Sequence, residues 1–176
     1  LHNHSQYSVL QATSSIESII EKAIELNMDA VAITDLGNMF GSFKFSKLAN
    51  KHNIKKILGC EFFISENRKK TKFTRDNKDK RYQQILFAKN REGYDNLTYL
   101  SSIAFTEGLY GQYARIDKDL IHKHRKNVIA LSGNLNGIIP QLILNTGIEA
   151  AENELKWWID TFGEDFYLEL NRHGLE

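Results

Sequence analysis

The sequence predicts an α/β fold, a mostly parallel sheet covered by helices. Three observations point there. Short apolar runs at 30–34, 57–64, 85–88, 128–131 and 166–170 have the length of buried strands. Segments with apolar residues at helical spacing separate most of them. A chain of 176 residues with 41% hydrophobic and 26% charged side chains suits one self-supporting domain rather than a disordered polypeptide.

Each element has a local reason. Ser14-Ser15-Ile16-Glu17 carries the S-x-x-E spacing of a capping box, in which the Ser14 and Glu17 side chains serve unpaired amides at a helix start. Ile16, Ile19, Ile20, Ala23 and Ile24 follow on one helical face, and Asn27 suits a helix stop. Residues 30–34 read as a buried strand, Gly37 and Asn38 as a turn, and 42–52 as a second helix. Strand 57–64 holds Cys60, a small core residue. After a charged loop comes strand 85–88, then a helix marked by Tyr94, Leu97, Leu100 and Ile103. Helix 118–124, strand 128–131, helix 138–144 with Pro140 in its first turn, helix 149–162 and strand 166–170 complete the order. With a first strand ending near Leu1, six strands are expected. That number suits an open doubly wound sheet or a (β/α) barrel that has lost its end.

Composition narrows the function. No apolar run approaches the roughly 18 residues of a membrane span, and the single cysteine excludes an internal disulfide framework and a Cys-rich zinc site. A cytoplasmic location is the default expectation. The first residue is Leu1, so a piece of a longer polypeptide is expected. The formal net charge of +1 hides a block: residues 68–81 hold eight basic and two acidic side chains, net +6, which leaves −5 for the rest. Such a block predicts a solvated, mobile loop; the sharper alternative is a phosphate-contacting loop using Lys69, Lys70 and Lys72. Phe73 is its single aromatic, a thin basis for base stacking.

The chemistry-bearing residues gather at strand ends. On a strand, His2 and His4 point to one face and could reach one metal ion. The functional rim of a parallel α/β fold lies at the C-terminal ends of its strands. Asp35 ends the strand 30–34, Glu61 lies near the end of the next, and His173 follows the last. Taken singly, each carboxylate could be a cap or an ion-pair partner. Together, three histidines and two carboxylates after four strands suit a hard or borderline divalent ion and phosphoester chemistry. His122 and His124 share the spacing of His2 and His4 but fall on a helix, where such neighbours diverge; they are expected on the surface. No Walker loop, Gly-x-Gly-x-x-Gly or Gly-x-Ser-x-Gly occurs.

These same residues carry a resemblance. His2-Asn3-His4-Ser5-Gln6-Tyr7-Ser8 is similar to an H-x-H-S-x-Y-S opening motif. Ala32-Ile33-Thr34-Asp35-Leu36-Gly37-Asn38-Met39 is similar to A-I-T-D-H-G-N-M, and Gly59-Cys60-Glu61 to G-C-E. The segments Leu86-Phe87-Ala88-Lys89-Asn90, Ala130-Leu131-Ser132 and Phe166-Tyr167-Leu168-Glu169-Leu170 with His173-Gly174-Leu175 keep the register. Over its whole length the chain resembles the PHP (polymerase and histidinol phosphatase) domain found at the N-terminus of bacterial replicative polymerase III alpha subunits. The resemblance implies a distorted (β/α)7 TIM-like barrel, here lacking its last strand, in a single domain over 1–176.

The departures from the family pattern matter as much. Metal-binding members use about nine ligands for up to three ions. By position, His2, His4 and Glu61 are kept. Gln11 stands in place of Asp, Leu36 of His, Gln83 of His, and Asn134 of Cys or His. A leucine cannot ligate, and neutral amides ligate weakly. The resemblance therefore implies a degenerate site with no full cluster, retaining at most one zinc or manganese ion. It implies a brace for the remainder of the polymerase subunit and a docking surface for a proofreading exonuclease. DNA would be engaged through the whole assembly, and no membrane is involved. Nucleotidyl transfer would belong to the parent subunit, and this piece would not itself be catalytic. The alternatives are a metal-dependent phosphoesterase or 3′–5′ exonuclease using His2, His4 and Glu61, and a DNA-contacting module using the basic loop.

Overall fold

The computed structural model describes residues 1–171. Helix α1 (Ile16–Glu25) precedes strand β1 (Ala30–Ile33), and α2 (Ser42–Lys51) precedes β2 (Lys55–Ser65). Strand β3 (Arg81–Ala88) is followed by α3 (Arg91–Glu107), the short pair β4 (Leu109–Tyr110) and β5 (Tyr113–Ile116), α4 (Lys118–Lys123) and β6 (Val128–Leu131). Helices α5 (Ile138–Asn145) and α6 (Ile148–Phe162), one 3-10 turn and β7 (Phe166–Tyr167) end the described chain. The His173 position lies outside the described residues.

The strands form one mixed sheet in the order β4-β5-β2-β3-β6-β7, with β1 also paired to β2. The eleven-residue β2 organises it. One edge of β2 pairs in parallel with β1 along 55–58 and with β5 at 63–64; the other edge carries β3. The expected mostly parallel sheet is corrected on one point: β3 runs antiparallel to both β2 and β6. The cause is connectivity. A parallel neighbour needs a long crossover, typically a helix, and only the loop 66–80 joins β2 to β3. Among the described residues the sheet is open.

Strand alternation sorts the side chains into two faces. Cys60, Phe62, Ile64, Leu86, Val128 and Ala130 point to the helical side and join Leu97, Leu100, Ile121 and Trp158 in the main core. Ile33 packs with Ile16, Ile20, Phe45 and Ala49 from α1 and α2 in a second cluster. The opposite face carries a small plug of Ala32, Ile85, Phe87 and Leu131. Glu61 pairs with Ile85 and so shares the plug's face.

Several local expectations change. Ser15, not Ser14, caps α1, accepting from the Ser18 amide at 3.0 Å, while Glu17 pairs with Lys44 at 2.7 Å. Asn27 does stop the helix, with a left-handed φ of 51°. No strand forms near Leu1; the segment is instead held by the Thr34 amide donating to the Asn3 carbonyl at 2.8 Å. The last strand spans only 166–167. The β4–β5 hairpin is an addition to the expected elements, although Tyr110 and Tyr113 favour strands and flank a turn at Gly111, whose φ is 60°.

The basic loop is not a free coil. The guanidinium of Arg115, fully buried, donates to the carbonyls of Gly108, Arg68 and Lys70 and to Asp79, at 2.8–2.9 Å. Arg68 in turn makes a two-pronged pair with Asp117 and reaches Glu107. A planar five-donor cation serves all four acceptors at once, one more than the three donors of an ammonium allow. Arg115→Met strands these acceptors. It is expected to cost about 3–5 kcal/mol in urea unfolding, and limited proteolysis should then cut first within 68–80.

Candidate metal centre

Three elements bring His2, His4 and Glu61 together. The first is the N-terminal turn. The buried Asp35 carboxylate, just past β1, accepts from the Ser5 amide at 2.6 Å, the Ser5 hydroxyl at 2.8 Å and the Ser8 hydroxyl at 2.7 Å. Ser8 Oγ accepts in turn from the Leu36 amide at 3.0 Å. The segment 5–8 is thereby fixed to the end of β1, and His4 with it. Asp35 is thus fully engaged as a clamp rather than free at the rim.

The second element is β2, where each residue of Gly59-Cys60-Glu61 has a physical reason. A Cβ on Gly59 would lie 2.5 Å from the Phe87 ring and 2.7 Å from the Leu86 carbonyl, so only glycine lets β2 and β3 close here. Cys60 is buried on the helical side, and its thiol donates to the Asp35 and Asn38 carbonyls at 3.4 Å. Burial pushes that thiol well above its ordinary range, so it stays protonated. Glu61 then falls on the opposite face, 1% exposed, facing the histidines.

The third element is the chain after β7. His4 Nε2 lies 2.8 Å and His2 Nε2 3.4 Å from the same oxygen, Glu61 Oε2. The other nitrogen of His2, Nδ1, lies 2.9 Å from Glu169 Oε1. One ligand atom from each of His2, His4 and Glu61 falls within 4.8 Å of the others. His2, His4, Asn134, Glu169 and Asn171 line a cleft of about 740 Å³. Glu169 was not singled out in the sequence; its place on an alternating strand beside the histidine-bearing rim was the available signal.

These residues suit a single divalent ion. Glu61 Oε1 is buried without a hydrogen-bond partner, an acceptor left over beside two imidazoles. Two imidazoles and a carboxylate form a borderline N/O set that fits zinc or manganese. A bound ion would take the place of the direct contact between His4 and Glu61.

The four substituted positions do not add donors to this group. Gln11 and Leu36 line a separate groove of about 360 Å³ with Phe40, Phe63 and Phe105, although Leu36 bridges Glu61 through the backbone. Gln83 lies on the plug's face by strand alternation, and its backbone N–H donates to the Asn136 carbonyl at 2.9 Å. Asn134 lines the histidine cleft, where its side chain accepts from the Asn136 amide at 2.8 Å; the adjacent Gly133 takes a φ of 78°, which makes that turn. The basic residues lie elsewhere. Lys69 pairs with Glu107 at 3.1 Å, Lys70 sits 5.3 Å from the Phe73 ring centre, and Lys72 is exposed. His122 is exposed, whereas His124 packs 4.4 Å from the Tyr99 ring centre.

Burial disfavours charge on His2, but its hydrogen bonds to Glu169 and Glu61 outweigh that and raise its pKa to about 9. Burial would likewise raise the Glu61 carboxyl, yet the hydrogen bonds from His2 and His4 win and lower it. Two linked pH effects follow for the metal-free chain. His2 holds its proton more tightly folded than unfolded, so its stabilising contribution is complete below its ordinary 6.5 and is lost as pH rises through about 9. The Glu61 contribution is present above its ordinary 4.5 and is lost as pH falls through its lower folded value. NMR titration of the imidazole ring should place the His2 midpoint near 9; a midpoint near 6.5 would contradict the pairing.

Comparison with known proteins places the chain in a family. The DNA polymerase III subunit alpha of Borreliella burgdorferi is 46% identical over 176 residues, covering 100% of this chain and 15% of that protein. The corresponding subunit of Chlamydia muridarum is 44% identical over 178 residues, covering 98% of this chain and 14% of that protein. That of Treponema pallidum is 37% identical over 177 residues, covering 100% and 15%. The chain thus spans about 15% of the length of these relatives. Among solved structures, a candidate metal-dependent phosphoesterase from Bifidobacterium adolescentis aligns with a TM-score of 0.41 and 16% identity over 58% of this chain and 31% of its own. Residues 1–173 match the PHP domain model, and the chain belongs to the PHP domain family.

Proposed function

We propose that this chain is the PHP domain of a replicative DNA polymerase III alpha subunit, with a degenerate metal site, serving to brace the subunit and to dock a proofreading exonuclease. The observation that carries the reading is the run of relatives bearing that subunit's name, aligned over the whole chain. The distorted (β/α)7 barrel belongs to the same proposal. It is supported by the helices packing on one face of the sheet and the plug and site on the other.

Degeneracy is supported by the donor count. His2, His4 and Glu61 converge, while the side chains at Gln11, Leu36, Gln83 and Asn134 supply neither carboxylate, imidazole nor thiolate. A cluster of two or three cations needs several anionic ligands to offset their mutual repulsion. One ion would supply Lewis-acid polarisation of a phosphoryl oxygen. Around it, Glu61 supplies the negative charge and His2 and His4 fix the position.

Docking is supported by the surface beside the site. Val9, Leu10, Phe40 and Phe43 are 74%, 93%, 65% and 79% exposed. Three of them, Val9, Leu10 and Phe40, border the groove floored by Leu36 and Phe63. Apolar surface of this density marks an interaction face. Leu36 therefore replaces a ligand with a contact residue.

The convergence of His2, His4 and Glu61 beside one open cleft favours a second reading, a metal-dependent phosphoesterase or 3′–5′ exonuclease with one ion. One experiment separates the two. Calorimetric titration with zinc or manganese is expected to show no more than one ion, abolished by Glu61→Gln, with no chelator-sensitive release of nucleotide from a primer end. Two or more tightly bound ions, or nucleotide release lost in His2→Ala, would overturn degeneracy. For docking, deletion of 1–176 from the full-length polypeptide, or the pair Leu10→Asp and Phe40→Asp, is expected to weaken capture of the exonuclease at least tenfold in size-exclusion binding. Unchanged capture would remove that role.

A further inference from the structure

Glu169 is the part of the cleft that the ligand pattern does not account for. Its carboxylate accepts or shares a proton with His2 Nδ1 at 2.9 Å, and its second oxygen, Oε2, is buried without a partner. Its backbone amide donates to Ser132 Oγ at 2.9 Å, and the Ser132 amide donates to the Tyr167 carbonyl at 2.9 Å. Glu169 is therefore fixed by the end of β6 on one side and holds an imidazole on the other. The oxygen that meets His2 lies on the Nδ1 side, while Nε2 faces Glu61 and the cleft.

We propose that Glu169 is a positioning residue that fixes the ring of His2, so that Nε2 is the nitrogen offered to a metal ion. The inference rests on the reading of His2, His4 and Glu61 as a one-ion site. A free imidazole can rotate and can present either nitrogen. A carboxylate on Nδ1 removes that freedom and increases the electron-donating power of Nε2, an arrangement that typically contributes 10- to 100-fold in metal affinity. Ser132 acts one step further out, by holding the Glu169 backbone. The residues Ser132, Glu169, His2, Glu61 and His4 then form one chain of contacts across β6, the C-terminal segment, the N-terminal segment and β2.

The test uses the full chain with zinc as the probe. Calorimetry is expected to show affinity about 10- to 100-fold lower in Glu169→Ala, with binding retained and stoichiometry unchanged. Glu169→Gln keeps an acceptor oxygen and should recover part of the loss. Ser132→Ala should give a smaller loss of the same kind. In the metal-free chain, NMR should show the His2 Nδ1 proton protected from exchange in the wild type and in Glu169→Gln, and unprotected in Glu169→Ala. If Glu169→Ala fails to fold by circular dichroism, the Glu169→Gln and Ser132→Ala comparisons decide. Affinity within twofold of wild type in all three variants overturns the proposal. Complete loss of binding in Glu169→Gln, as in Glu61→Gln, overturns it too, because Glu169 would then be a ligand. If the wild type binds no zinc, the one-ion reading fails, and the NMR result alone decides the positioning of His2.

Discussion

The buried carboxylate of Asp35 is the constraint on which the site depends. Its side chain takes three hydrogen bonds from the turn at Ser5 and Ser8, and its carbonyl accepts from the Glu61 amide at 3.1 Å and the Cys60 thiol at 3.4 Å. One residue thus ties the histidine-bearing segment to the glutamate-bearing strand. Hydrogen bonds to a charged acceptor are stronger than neutral ones, and a buried carboxylate left short of partners would be costly. The N-terminal segment forms no strand of its own, so this clamp, together with the bonds between Asn3 and Thr34, sets His2 and His4 opposite Glu61.

The rest of the fold supplies a rigid floor for that junction. Ala32, Ile85, Phe87 and Leu131 fill the face of the sheet beneath the cleft, and Gly59 lets β2 and β3 approach closely enough to keep it filled. The helices take up the other face. The polar groups of the site, His2, His4, Glu61 and Glu169, gather at one rim of that floor. The neighbouring groove around Leu36 is apolar through several side chains, Phe40, Phe63 and Phe105 among them.

Much of this was legible in the sequence, and for identifiable reasons. The apolar runs around β1, β2, β3 and β6 and the helical spacing of α1, α3 and α6 reflect burial, which composition and period report directly. His2, His4 and Glu61 were legible because spacing and strand ends limit where side chains can point. Asp35 was legible as a residue of interest, but its role was not, because a carboxylate clamping a turn and one at an open rim look alike in a sequence. The direction of β3 was open to inference from the missing crossover helix. The ordering of the basic loop was not. It depends on Arg115, a residue 35 positions after the last of the lysines and arginines before β3 when counted from Lys80, and nothing local marks that arginine as buried. Glu169 was hidden for the same reason: its partners, His2 and Ser132, are distant in sequence.

The contact between His2 and Glu169 joins residues 167 apart, nearly the whole described chain. During synthesis the segment that carries His2 is made before its carboxylate partner, which follows 167 residues later. Domains are made at roughly 5–20 residues per second, so His2 waits on the order of ten seconds or more for that partner. Closing so long a loop is entropically costly until the sheet between has formed. The cleft therefore comes into being only once β6 and β7 are in place. Its completed geometry is a record that the chain has been assembled through β7, and a chain stalled before that point would carry the histidines without the arrangement that gives them meaning.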